Sequence, residues 1–229
     1  MKKVKSVCFF ISFVLIFLHA GSFYCQASKQ VYFNNKNSQM KIALTFDDGP
    51  HPRYTPQILD ILDKYGIKAT FFVIGENAKY YSDALIETSR RGHEIANHTY
   101  SHIILSKSNL YKLQGEIENC EAEILRFTEQ KPKLFRPPEG MVCSEMTSIA
   151  DELDYTVILW NLDTKDWAHT PPDEIAKNVI NNVKPGDVIL MHDFIGRNSP
   201  TPKALEIFIP VLLEKGYKFV TVSELIGIK

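Results

Sequence analysis

The sequence predicts an α/β fold: a distorted (β/α)7 barrel of parallel strands with its active site at the C-terminal strand ends. Three observations predict it. Seven short runs rich in apolar, β-branched or aromatic residues alternate with segments of helical period. The repeat is about 30 residues, the size of a βα unit. No glycine-rich dinucleotide fingerprint follows the first run, which weighs against an open doubly wound sheet.

In order, the first strand is KIALTFD (41–47), followed by TPQILDILDKYG (55–66), where Ile58, Leu59, Ile61 and Leu62 recur at helical spacing and Gly66 supplies a stop. ATFFVIG (69–75) precedes the helical NAKYYSDALIETSRRG (77–92). HEIANHT (93–99) precedes a long helix from about Asn109 to Gln130. KLFRP (133–137) leads to a helix around SEMTSIADELD (144–154), and YTVILWNLD (155–163) to PDEIAKNVINNV (172–183). GDVILMHD (186–193) and TPKALEIFIPVLLEKG (201–216) form the sixth pair, and YKFVTVSEL (217–225) closes the series.

The 229 residues, 45% hydrophobic and 23% charged, suit one globular domain with a substantial core. A formal net charge of -1 excludes a general affinity for nucleic acid or an anionic membrane, so a neutral or small substrate is the default. Lys2, Lys3 and Lys5 precede an apolar stretch and then CQASKQ, so residues 1–27 read as a signal peptide or an uncleaved membrane anchor. Either one places the domain outside the cytoplasm: extracellular, in the cell wall, or anchored facing outward. Phe23 and Tyr24 before Cys25 argue against a lipoprotein. Residues 28–39 read as a polar linker and 40–229 as the catalytic domain. Cys120 and Cys143 remain in that domain. Cys120 falls on the stripe Leu113, Ile117, Cys120, Ile124, where a thiol serves as a small hydrophobe, and both are expected to be unpaired.

Parallel α/β folds gather their chemistry at strand exits. Asp47 and Asp48 end the first strand, His98 the third and Arg136 the fourth; Asp163 and Asp166 follow the fifth, and His192 and Asp193 end the sixth. Turn chemistry explains one aspartate ahead of Gly49-Pro50, but burying two adjacent carboxylates without cations or donors is costly. Strand alternation is expected to aim the two differently. In HTYSH, His98 and His102 lie four apart, so a helical turn would put both imidazoles on one face. Two imidazoles and a carboxylate with open positions suit Zn²⁺, and also Co²⁺ or Fe²⁺. A solvated histidine pair, a structural salt bridge at Arg136, and a satisfied core histidine at His192 are the bland alternatives. Their convergence on one rim favours a site.

TFDDGP, HTYSH, RPPEG, DTKDW and ILMH, in this order and spacing, resemble the polysaccharide deacetylase family, also called the NodB-homology domain or carbohydrate esterase family 4. The resemblance covers about residues 40–226 and implies metal-dependent hydrolysis of the N-acetyl group of N-acetylhexosamine residues in an exported polysaccharide, releasing acetate. It implies that Asp48, His98 and His102 bind one divalent metal ion, Zn²⁺ first and Co²⁺ or another divalent ion second. Asp47 resembles the general base, Arg136 its tether, His192 the general acid and Asp166 the carboxylate behind that acid. Trp167, Leu190, Pro138 and Glu139 resemble pocket residues, with Glu139 departing from the aromatic that often follows RPP. Peptidoglycan is the leading substrate and chitin oligomers the second. A silent glycan-binding module and an esterase of acetylated sugars are alternatives from other classes. A monomer is expected, with no nucleic-acid partner and membrane contact only through an uncleaved N-terminal segment.

Overall fold

The computed structural model describes residues 31–228 apart from residue 37. The expected signal or anchor, residues 1–27, lies outside the described residues. Within them are eight parallel strands: β1 (Lys41–Asp47), β2 (Thr70–Val73), β3 (Glu94–Asn97), β4 (Leu134–Phe135), β5 (Thr156–Val157), β6 (Leu162–Asp163), β7 (Val188–His192) and β8 (Lys218–Val220). Their order is β5-β4-β3-β2-β1-β7-β6, with β8 paired to the N-terminal half of β1. The expected fifth strand, 155–163, is therefore two short strands. Its first half pairs with β4 and its second with β7, and residues 158–161 join the two ends of the sheet, giving a distorted barrel.

Among the described residues eight α-helices pack around the sheet: α1 (Tyr54–Lys64), α2 (Gly75–Tyr80), α3 (Ser82–Arg90), α4 (Leu113–Thr128), α5 (Ser144–Glu152), α6 (Pro172–Asn182), α7 (Thr201–Glu214) and α8 (Val222–Ile226). The expected helix 77–92 is broken at Tyr81 into α2 and α3. Strand periodicity sorts the core. Ile42, Leu44 and Phe46 face outward into a cluster with Ile58, Leu62, Val179, Leu205 and Phe208, the apolar stripes of α1, α6 and α7. Ala43 faces inward with Phe72, Ala96, Leu134, Ile158 and Val188, and Val222 and Leu225 of α8 join that cluster. Past this plug the inward positions turn polar: Thr45 then Asp47 on β1, Arg136 after β4, and His192 after Leu190 on β7. The barrel therefore opens at its C-terminal end.

The stretch read as a linker does more than connect. Tyr32 bridges Ile158, Asn34 bridges Asp187, and the Asn35 side-chain amide donates to the Leu225 carbonyl at 2.7 Å. Cys120 and Cys143 are free thiols, the first buried and donating to the Val73 carbonyl, the second exposed. Among the described residues no helix is long and apolar enough to cross a membrane.

Candidate active site

The strand exits converge on a cavity of about 350 Å³ lined by Asp47, Asp48, His98, His102, Glu139, Trp160, Asp163, Trp167, Leu190 and His192. Arg136 and Asp166 lie fully buried behind this wall. Pro138, expected in the pocket, is buried and does not line it. Trp167 is 53% exposed at the rim, whereas Leu190 is buried at the wall.

Asp47 ends β1 facing the barrel interior, and Asp48 departs from the alternation expected of it. Asp48 has already left the strand with φ +76, which turns its carboxylate back to the same mouth. The Asn77 side-chain amide donates to its carbonyl at 2.7 Å, and a cis bond joins Gly49 to Pro50. Gly49 must stay bare, because a Cβ there would overlap the Asp193 carboxylate. Asp193 is buried and accepts from the Thr55 hydroxyl at 2.5 Å, and burial pushes its carboxyl up to about 7. Asp193 thus packs the turn that carries Asp48.

His98 and His102 do meet, but not on a helical turn. Thr99 and His102 take left-handed φ values of +68 and +54. The turn is held from outside. The Asn97 side-chain oxygen accepts from the Thr99 N–H at 2.9 Å, and the Glu116 carboxylate, on α4, accepts from the N–H groups of Tyr100 and Ser101 at 3.0 and 2.8 Å. His98 Nδ1 donates to the Arg136 carbonyl at 2.7 Å, which leaves its Nε2 lone pair free. Asp48 Oδ1 lies 3.5 Å from His98 Nε2 and 3.3 Å from His102 Nε2, and is a buried oxygen without a hydrogen-bond donor. Three ligand atoms within 4.8 Å of one another, one of them orphaned, fit a divalent cation.

Arg136 is a buried guanidinium made tolerable by its partners. It donates to Asp47 Oδ1 at 2.5 Å, to the Thr45 hydroxyl at 3.0 Å, and to the carbonyls of Ile158 and Leu159 at 3.2 and 3.1 Å. Its cation lies over the Phe72 ring at 3.9 Å and near the Trp160 ring at 5.5 Å. Burial pulls its pKa down, and Asp47 opposes that.

In the cavity that His98 and His102 also line, His192 Nδ1 donates to Asp166 Oδ1 at 2.8 Å. The other Asp166 oxygen accepts from the His192 N–H and from the Thr201 hydroxyl, so this carboxylate is fixed on both sides. Burial works against charge on His192, but Asp166, together with Asp47 and Asp48, outweighs it and raises the imidazole to about 9. In the loop after β4, the Arg136 N–H pairs with the Asn97 carbonyl, those of Gly140 and Met141 pair with Pro137 and Pro138, and the prolines have none. Glu139 keeps the one N–H of residues 136–141 outside this ladder.

The sequence reading missed Trp160, Thr45 and Glu116. Trp160 had a signal: an aromatic inside the expected fifth strand, three residues before Asp163. Glu116 had none, since it lies mid-helix.

A parallel α/β barrel whose mouth joins an Asp-His-His cation site to a buried Arg–Asp pair and a carboxylate-backed histidine defines a metal-dependent hydrolase. The family model for polysaccharide deacetylase matches residues 34–158, and the chain belongs to that family. It is 40% identical over 195 residues to a peptidoglycan-N-acetylglucosamine deacetylase of Bacillus cereus, covering 84% of this chain and 91% of that one. It superimposes with a TM-score of 0.81, at 34% identity, on a peptidoglycan N-acetylglucosamine deacetylase solved with 4-naphthalen-1-yl-N-oxidanyl-benzamide, covering 87% of this chain and 94% of that one. A family 4 acetyl xylan esterase of Clostridium thermocellum with a bound cobalt ion matches with a TM-score of 0.77 at 36% identity, covering 82% of this chain and 93% of that one.

Proposed function

We propose that the protein is an exported N-deacetylase that hydrolyses the acetamide of N-acetylhexosamine residues in peptidoglycan, leaving a free amine and releasing acetate. The observation that carries the chemistry is the Asp48–His98–His102 set facing Asp47 and His192 across one cavity. The similarity to peptidoglycan deacetylases supports the polymer, and the basic and apolar N-terminus supports export. A divalent cation held by these three residues, with Zn²⁺ favoured by the nitrogen-rich set, supplies Lewis acidity toward the acetyl carbonyl.

The chain's own residues handle the protons. Asp47, oriented by Arg136, accepts a proton from the attacking water as its oxygen bonds to the acetyl carbon. The Glu139 N–H is the backbone donor for the resulting oxyanion. His192 holds its proton on Nε2 because Nδ1–H is committed to Asp166, and it delivers that proton to the departing nitrogen as the C–N bond breaks. Trp167 and Leu190 give the methyl group an apolar wall and exclude water from it.

The test is acetate release from peptidoglycan and from chitin oligomers, side by side, with Zn²⁺-reconstituted protein. Release from peptidoglycan that disappears on chelation or in Asp48→Ala is the expected result. Glycan retention without acetate at any divalent metal would overturn the reading in favour of a binding module. Release from O-acetylated sugars alone would make the protein an esterase.

A further inference from the structure

Glu139 brings to the cavity a carboxylate that the chemistry proposed above does not use. Its backbone has φ +56 and ψ +13, and Gly140 follows at φ +65. Pro137 and Pro138 stiffen the approach, and Gly140 is pressed against Trp160 so closely that a Cβ would come within 2.9 Å of the ring. The left-handed region is unfavourable for a residue with a Cβ and persists where the surroundings over-determine it. The turn therefore holds an acidic side chain on the cavity wall that His102 also lines. Asp163 lines the same cavity, and among the described residues no Lys or Arg does.

A sugar whose acetamide reaches the centre of this cavity brings the substituent on the neighbouring ring carbon to its rim. Peptidoglycan offers two such sugars: N-acetylglucosamine, with a neutral hydroxyl there, and its 3-O-lactyl ether, which carries an anionic acid wherever no peptide is joined to it. We propose that Glu139 is a specificity-determining residue that disfavours the sugar bearing the acidic ether and directs deacetylation to the neutral N-acetylglucosamine. Like charges facing each other at a partly solvated rim weaken binding by about three- to tenfold. The proposal rests on the deacetylase reading.

The experiment compares Zn²⁺-loaded full-length wild type, Glu139→Gln and Glu139→Lys on two peptide-free tetrasaccharides. One is all N-acetylglucosamine; the other alternates it with the lactyl ether carrying a free carboxylate. Acetate release gives kcat and KM, and mass spectrometry of fragments gives the sugar attacked. Wild type is expected to favour the neutral sugar. Glu139→Gln is expected to shift the ratio of kcat/KM toward the acidic sugar by about three- to tenfold, mainly through KM, and Glu139→Lys further. Added salt should narrow the wild-type preference. The same ratio in all three proteins, or a wild type that prefers the acidic sugar, would overturn the role of Glu139 while leaving deacetylation intact. Acetate from neither substrate would instead overturn the deacetylase reading, and this proposal with it.

Discussion

His98 and His192 leave two strands of one sheet, both reach the same cavity, and both fix Nδ1–H by a hydrogen bond of 2.7–2.8 Å. The difference is the oxygen that accepts. His98 donates to a neutral carbonyl, that of Arg136, and its Nε2 faces the orphaned Asp48 oxygen. His192 donates to a buried carboxylate, which with Asp47 and Asp48 raises the imidazole to about 9. A neutral partner leaves a lone pair for a cation, whereas an anionic partner keeps a proton for a leaving group. The local sequence around each histidine does not reveal this. The atom behind the ring assigns the role.

The contrast breaks most visibly at the ligands. Asp48→Ala and His98→Ala are expected to lose bound metal and turnover together, measured as metal per protein after dialysis and as acetate release. Next, His192→Ala and Asp47→Asn should keep full metal stoichiometry while kcat falls by about 10²–10⁴-fold. Metal loss in either would show that the two sides of the cavity are not separate in function.

A smaller effect isolates the partner oxygen itself. Asp166→Asn removes the charge that stabilises the His192 imidazolium, so its pKa falls from about 9. A general acid works only while protonated, so the alkaline limb of kcat against pH should move to lower pH, with about a 10- to 100-fold loss at neutral pH. An unmoved limb would remove His192 from the acid role. Thr45→Val deletes one acceptor of Arg136 without touching Asp47 and should cost about 1 kcal/mol of transition-state stabilisation, a few-fold in kcat.

The strand exits were legible because apolar runs that end in Asp, His or Arg are conspicuous, and Asp47, His98, Arg136 and His192 stand there as read. What lay beyond the strands was not legible. HTYSH reads as a helical turn by spacing, yet Glu116 takes two of its N–H groups from a helix 15 and 16 residues away and holds the left-handed geometry. The pair Asp47-Asp48 reads as strand alternation, yet the strand stops between them. The split of 155–163 followed from tertiary contact: Tyr32 pairs with Ile158 and donates to Val157, between the two halves of the expected strand. In each case a partner distant in sequence overrode a sound local rule.

A third histidine completes the comparison. His93 sits buried at the N-terminal end of the sheet, and its Nδ1 accepts from the Ala69 N–H at 3.3 Å instead of donating. Burial, with help from Lys68, pushes it down to about 4. Between its ordinary value near 6.5 and about pH 4 the ring is thus still neutral in the folded protein while the unfolded chain has begun to protonate. The unfolded state binds the extra proton between about pH 6.5 and 4, so stability should fall as pH drops through that window and level off below it, by roughly 2–3 kcal/mol. His93→Gln keeps an acceptor near the Ala69 N–H and cannot titrate. Urea unfolding of the metal-free protein at a series of pH values should show a shallower acid loss in the variant than in wild type. Equal slopes would mean that His93 opens to solvent and titrates like an exposed ring, and that an accepting Nδ1 does not by itself hold a histidine neutral.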